Sequence, residues 1–195
     1  MSRHHETEIK LEARNPPALR RRLRELRFRA VQARHFESNA VFDFPDHRLW
    51  KAHRLLRLRL AGGQWTLTLK AAPDCSHPYK VRRETDIGIK EGSLLPEVLE
   101  TLGLREAFRY EKYRTVYARG VGSRKAEGPT LVYDETPIGD YLELEGPRRW
   151  IDQVARELGY ARKDYITASY GSLYRQRCQA RGIEPGNMVF PTRKS

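Results

Sequence analysis

Cysteine is almost absent from this sequence: Cys75 and Cys178 stand far apart among 195 residues. Two cysteines build no disulfide framework, and no Cys/His spacing suits a zinc site. Long apolar runs are missing as well, which leaves no candidate membrane-spanning helix. The polar start, Met1-Ser2-Arg3-His4-His5-Glu6, has none of the apolar stretch of a secretory leader. The expectation is a soluble cytoplasmic protein with no membrane partner. Acidic residues are in the minority, 25 Asp and Glu against 37 Lys and Arg, so the formal net charge is +12 and the pI is near 10.0. A field of that sign draws in anions such as nucleotides, polyphosphates or nucleic acid. Internal repeats and linkers are also lacking. What is present is a hydrophobic content of 39% beside 32% charge, enough for the core of one ordinary domain. Residues 1–182 read as that domain. Residues 183–195, with Pro185-Gly186 and Pro191, read as a loose tail.

The patterning is mostly that of strands. Thr7–Leu11 alternates, as do Leu55–Leu60, Trp65–Lys70 and Tyr79–Ile89. Gly62-Gly63 joins the second and third of these as a hairpin. Further strands are expected near Ala33–Asp43, Phe108–Ala118, Thr130–Asp134 and Asp140–Glu145. Loops are expected over 71–78 and 120–129. Helices are expected from Asn15-Pro16-Pro17, from about Ser93 to Gly103, from Arg148 to Leu158 and from Ser169 to Arg181. The first has a leucine face and an arginine face (Arg20, Arg21, Arg24, Arg27), read either as solvated or as an RNA contact.

The unusual feature is the polar face of the strands, which is nearly all charge. Glu6, Glu8 and Lys10 share one face, then Arg57, Arg59 and Lys70, then Lys80, Arg82, Glu84 and Asp86. Lys112 and Arg114, Asp134, and Glu143 and Glu145 continue the series. One reading is an antiparallel sheet with a solvated face. The other is an inside-out barrel. About eight strands close with room inside for side chains or one small ligand. Its charged lumen would be wet, because burying so many charges dry costs too much. Its apolar outer face would lie under the helices after strands one, five and seven. Leu58, Leu67, Leu69, Leu142 and Leu144 would then meet helices. The expected class is α+β: a closed eight-stranded antiparallel β-barrel with helices packed outside.

Short motifs in order along these strands resemble the CYTH family, the triphosphate tunnel metalloenzymes. Glu6-Thr7-Glu8-Ile9-Lys10 resembles the family's E-x-E-x-K, and Leu56-Arg57-Leu58-Arg59 its L-R-x-R. Lys70 resembles a strand lysine before a loop. Arg82-Arg83-Glu84-Thr85-Asp86 and Lys112-Tyr113-Arg114 resemble two further strands. Asp134, Gly139, Tyr141, Glu143 and Glu145 resemble the acidic segment, with Tyr in place of Phe, and Ser169-Tyr170 resembles a terminal-helix pair. The stretch Tyr110–Tyr117 and the turn Ile138–Tyr141 are most similar to the cyclase-named and thiamine triphosphatase-like bacterial members. The resemblance implies an eight-stranded tunnel and an enzyme acting on a triphosphate-containing small molecule with Mg²⁺ or Mn²⁺. Phosphohydrolysis is the leading expectation; adenylate cyclase is the alternative, and a non-catalytic polyphosphate- or RNA-binding module the second.

The residue types fit that chemistry. Arg57, Arg59, Lys70, Lys80, Arg82, Lys112 and Arg114 form the candidate phosphate cradle, since guanidinium forks and ammonium groups match nonbridging oxygens. Carboxylates repel phosphate, so Glu6, Glu8, Glu84, Asp134, Glu143 and Glu145 are candidate ligands for a hard cation. Lys10 and Lys70 are candidate catalytic lysines. Lys10 orients a nucleophile, protonates a leaving oxygen or simply bridges to Glu8 or Glu6. His35 reads as structural or as a base. Tyr170 either closes a mouth or packs the last helix, and Cys178 reads as core.

Overall fold

The structure is a computed structural model that describes residues 2–74, 78–119 and 128–191. Eight antiparallel strands close into a barrel in the order β1-β5-β4-β3-β2-β6-β7-β8. The strands are β1 (Ser2–Glu12), β2 (Phe28–Asp43), β3 (Leu55–Ala61), β4 (Gln64–Lys70), β5 (Lys80–Ile89), β6 (Arg105–Arg119), β7 (Thr130–Thr136) and β8 (Gly139–Glu145). Closure runs through β1 and β8, where Glu8 stands opposite Glu145 and Lys10 opposite Glu143. Among the described residues five α-helices lie outside: α1 (Pro16–Glu25), α2 (Arg48–Lys51), α3 (Leu95–Thr101), α4 (Arg148–Glu157) and α5 (Tyr170–Ala180).

The alternation sorts residues as an inside-out barrel requires. Ile9, Leu11, Leu131, Tyr133, Leu142 and Leu144 point outward and pack with Leu19 and Leu23 of α1 and Ile151 and Val154 of α4. Leu58 packs with Leu99 of α3, and Leu67 joins that cluster in part. Leu69 departs from expectation: it is 46% exposed. The last covering helices follow β8, not the seventh strand.

Local chemistry explains the boundaries. Asn15 caps α1, its side chain accepting from Ala18 N at 3.1 Å, with proline in the first turn. Gly62 and Gly63 have φ of 55° and 77°, the left-handed pair that a two-residue hairpin between β3 and β4 requires. β2 starts five residues before the expected Ala33, at Phe28, because it stays paired with β6 through bulges as far as Arg119. α2, four residues long, is too short to leave a period in the sequence. The expected helix near Ser93 opens as a 3₁₀ turn, Gly92–Leu94. Parts of two expected loops, 75–77 with Cys75 and 120–127, lie outside the described residues, as do the side chains of Ser2, Arg3 and His4. Cys178 is buried.

The segment after Gly182, expected to be loose, is held along β6. Met188 is 1% exposed and bonds both ways with the backbone of β6, at Arg109 and Glu111. Phe190 N donates to the Glu111 side chain. The description ends at Pro191.

Candidate functional site

The barrel encloses a cavity of about 690 Å³. Its wall is charged because every second residue of these strands must point inward. Eight strand cations project there, Lys10, Arg57, Arg59, Lys70, Lys80, Arg82, Lys112 and Arg114, and Arg54 and Arg175 line it as well. Nine carboxylates stand among or just behind them: Glu6, Glu8, Glu37, Asp43, Glu84, Asp86, Asp134, Glu143 and Glu145. The lumen is therefore close to electrically neutral.

One side of the wall is fully paired. Asp134, 0% exposed, accepts from Lys112 at 3.0 Å, from Arg114 at 2.7 and 2.6 Å, and from the Tyr170 hydroxyl at 2.8 Å. Arg114 also donates to Glu143. Lys10 lies 3.2 Å from Glu143 and 3.4 Å from Glu8. Burial opposes ionisation of Glu143, but Lys10 and Arg114 outweigh it and hold the carboxyl far below its ordinary range. Burial works against the charge on Lys10 too, yet Glu8 and Glu143 raise it well above the ordinary lysine value. Tyr170 resolves the choice left open for it, because its ring is buried against Tyr110 and Tyr141 while its hydroxyl secures Asp134. It does so from α5, whose first turn Ser169 caps by accepting from Ser172 N. The segment before it is stitched to β1 by reciprocal Lys10–Ile166 backbone bonds.

The neighbouring β2–β3 side is incompletely paired. Among the described residues Arg57 donates only to neutral oxygens, the Tyr110 hydroxyl at 3.3 Å and Thr68 at 3.1 Å, and its Nε is buried without a partner. Arg59 reaches Glu37 only at 3.9 Å. Both amide atoms of Asn39, beside Arg59 on β2, are buried and unbonded. Such atoms are costly to leave unsatisfied; a water relieves any of them, and an oxyanion relieves only the N–H donors.

The carboxylates divide as well. Glu84 accepts from Lys70 and Arg82. Burial opposes its charge, but a hydrogen bond from Glu6 and the charge of Lys70 bring it down to about 2. Glu6 shares Lys70 at 3.3 Å and is pushed well up, by burial first and then by Glu8. Glu8 accepts from Lys80 at 2.6 Å; burial works against its charge, but Lys10 and Lys80 hold it well below its ordinary range. Glu145 is raised by burial and by the carboxylates of Glu8 and Glu143. Among the described residues no lysine or arginine reaches it within ion-pair distance. Lys80 is brought down to about 8, by burial first and then by Lys10 and Arg82, against the opposing pull of Glu8.

A family model for the CYTH domain matches residues 4–170. The chain belongs to the CYTH family. Among solved structures, a Vibrio parahaemolyticus protein provisionally named an adenylate cyclase shares 18% identity at a TM-score of 0.73, over 86% of this chain and 95% of its own. A Pyrococcus horikoshii OT3 protein shares 23% identity at 0.73, over 88% and 99%. A Hippeastrum protein, provisionally named an adenylyl cyclase and described with a dominant triphosphatase activity, shares 18% at 0.58, over 93% and 97%. These likenesses show the CYTH barrel fold. No curated protein matches the chain.

Every expected cradle residue of this CYTH barrel lines the cavity. Among the expected metal ligands, Asp134 lies behind the wall and its oxygens accept from Lys112, Arg114 and Tyr170. Sequence reasoning missed Glu37, Asn39, Thr68 and Tyr110, which share the inward face but break the run of charges. It also missed the rim. There α2 presents Trp50, 59% exposed, with the Arg175 guanidinium of α5 5.5 Å from its ring centre. His35 bonds Ala33 O and approaches Glu37 at 3.3 Å, and it does not line the cavity.

Among the described residues no three His, Cys, Asp or Glu side chains stand ready-made as a metal cage. The donor set nevertheless fits a hard divalent cation. Glu6 and Glu145 offer oxygen donors that burial and neighbouring carboxylates have pushed up, and a cation at that end would offset both causes.

Proposed function

We propose that this CYTH chain is a divalent-metal-dependent phosphohydrolase acting on a triphosphate. The observation that carries this reading is the split of the lumen. Arg57 and Arg59 line the cavity without full partners, with the unbonded Asn39 amide buried behind them, and Glu6 and Glu145 are carboxylates without full countercharge. A triphosphate with a divalent cation supplies both deficits at once. Guanidinium forks from β3 take nonbridging phosphoryl oxygens, and Arg82, Lys112 and Arg114 extend the cradle across the cavity. Mg²⁺ or Mn²⁺ would be held by Glu6, Glu8 and Glu145, and when bound it neutralises charge on the reacting phosphoryl group.

In hydrolysis a water oxygen bonds to the terminal phosphorus as the bridging P–O bond breaks, the two-phosphate fragment leaves with that bond pair, and the water gives up one proton, which the neutral form of Lys80 can take. Fixed cations stabilise the leaving oxygens without reorganising. Lys10, pinned between Glu8 and Glu143, keeps its proton and acts by charge and position. Lys80, brought to about 8, is the lysine suited to giving and taking a proton near neutrality. Lys70, held by Glu6 and Glu84, serves as a fixed positive charge.

The exposed Trp50 at the rim favours a second reading, a nucleoside triphosphate whose base rests on the indole, with cyclisation to cyclic AMP as the other outcome. One panel tests both readings. Tripolyphosphate, ATP and thiamine triphosphate are offered with Mg²⁺ or Mn²⁺, and phosphate, diphosphate and cyclic AMP are resolved. Metal-dependent phosphate release that collapses in Glu145→Gln is the expected result. Cyclic AMP with diphosphate as the main products would replace hydrolase with cyclase. No turnover of any substrate, or full turnover in Glu145→Gln, would overturn the proposal.

A further inference from the structure

The formal charge of +12 does not reside in the tunnel, where cations and carboxylates cancel. The excess is carried on the outside, and the helices α1 and α4 carry a concentrated share of it. Exposed arginines include four on α1 and three on α4. The two helices form one continuous face, since both pack on the same core cluster outside β1, β7 and β8. Arg22 of α1 also donates directly to Glu157 O of α4 at 3.0 Å.

Some of these arginines are satisfied locally. Arg21 and Arg22 share Glu25, and Arg20 pairs with Glu135. Arg24, Arg27, Arg29, Arg149 and Arg156 are exposed and have no acidic partner among the described residues. Arg24, Arg27 and Arg29 follow one another around the end of α1, and the Arg22–Glu157 bond sets that corner beside Arg156. Packing does not require this arrangement, because the leucines of α1 face the core whatever covers the other side. Crowding uncompensated guanidinium groups on one face is a self-repulsion that a polyanion removes.

We propose that the α1–α4 face binds the phosphate backbone of nucleic acid without sequence preference, as a function separate from the tunnel. Guanidinium groups match phosphodiester oxygens by bidentate bonding. An acidic membrane fits less well. Membrane-surface helices add large apolar side chains to their basic face, and none of the exposed large hydrophobic residues lies on α1 or α4.

The test uses the full chain and a single-stranded RNA of about thirty nucleotides with a 5′-hydroxyl end, so that no triphosphate is offered to the tunnel. Fluorescence anisotropy is read across a salt series, where each lost phosphate contact removes roughly 0.7 from the slope of log K against log salt. The combined substitution of Arg24, Arg29, Arg149 and Arg156 by glutamine, and separately by glutamate, is compared with Arg59→Ala. The expected result is at least about tenfold weaker binding and a flatter salt slope in the glutamine variant, with a larger loss for glutamate. Arg59→Ala and saturating tripolyphosphate should leave RNA binding unchanged, and circular dichroism and melting confirm that each variant is folded. Unchanged RNA affinity in both folded surface variants would overturn the proposal. So would displacement of RNA by tripolyphosphate, or capture by phosphatidylserine vesicles without RNA binding. No arm reads turnover, so failure here and failure of the hydrolase reading are separate.

Discussion

The two sides of the tunnel wall are built from the same residue types and behave as opposites. On the β6–β7–β8 side, Asp134 ties Lys112, Arg114 and Tyr170 into a bonded unit, and Glu143 continues it to Lys10. On the β2–β3 side, Arg57 and Arg59 make long or neutral contacts, and Asn39 makes none. A buried cation with a full set of partners is fixed in place and gains little from an incoming anion. A buried cation without one has its field available. On the proposed reading, the paired side would set the shape of the cavity and the unpaired side would supply the differential binding energy.

Asp134→Ala is the strongest challenge to this contrast. It leaves Lys112 and Arg114 buried without their main counter-ion, which should cost about 3–5 kcal/mol of folding stability. Denaturant melts check the value. Arg59→Ala removes a cation that contributes little to the fold, so stability should barely move. Tripolyphosphate affinity should fall by roughly 1.5–3 kcal/mol, the range for bonds to charged groups, as read by calorimetry. If instead Arg59→Ala unfolds the barrel and Asp134→Ala spares it, the assignment of the two sides is reversed.

The barrel was legible because its period is simple. Leu56, Leu58 and Leu60 alternating with Arg57 and Arg59 state which face is wet, and the Glu6–Lys10, Lys80–Asp86 and Glu143–Glu145 segments repeat the statement. The division into a paired and an unpaired side was not legible, because pairing depends on which strands become neighbours. Arg114 meets Asp134 only through the β6–β7 register. Asn39 was hidden for a different reason. Its strand reads Phe36-Glu37-Ser38-Asn39-Ala40-Val41, where the inward face is mixed and its charge gives no run to follow. The order of residues 187–190 had no period to announce it, since Met188 enters an aromatic pocket of Tyr110 and Tyr170 by tertiary contact alone. The rim helix α2 is only one turn long.

Lys80 offers a smaller and sharper test. Its ordinary value is 10.5, and it falls to about 8 in the fold. Between those values the native chain binds fewer protons than the unfolded chain, so this group makes stability rise as pH rises through the window. An arriving polyanion favours the charged ammonium and reverses the shift. Binding of tripolyphosphate just above pH 8 should then take up a fraction of a proton, up to about one half. Calorimetry in buffers of different ionisation enthalpy reads the uptake, which should vanish in Lys80→Gln and persist in Arg59→Ala. Equal uptake in Lys80→Gln and wild type would assign the proton elsewhere.

The smallest effect concerns Glu145, which has no lysine or arginine within ion-pair distance among the described residues. Its carboxyl is raised by burial, then by Glu8 and Glu143. The native state therefore holds this proton to higher pH than the unfolded chain does. Between the ordinary value of 4.5 and the raised one, the native state binds more protons. Stability from this group is complete below that window and is lost as pH rises through it. Glu145→Gln keeps shape and amide hydrogen bonding but removes the titration. In metal-free buffer the variant should match wild type in mild acid and melt a few degrees higher near neutrality, a gain of about 1 kcal/mol or less. Added Mg²⁺ should raise the melting temperature of wild type more than that of the variant, because only wild type has the repulsion to relieve. Glu8→Gln cannot make the same point, since Lys80 and Lys10 both depend on Glu8 and its loss disturbs them. A Glu145→Gln melt lower than wild type at neutral pH without metal would mean that its charge is already compensated, and the unpaired acidic end would have to be given up.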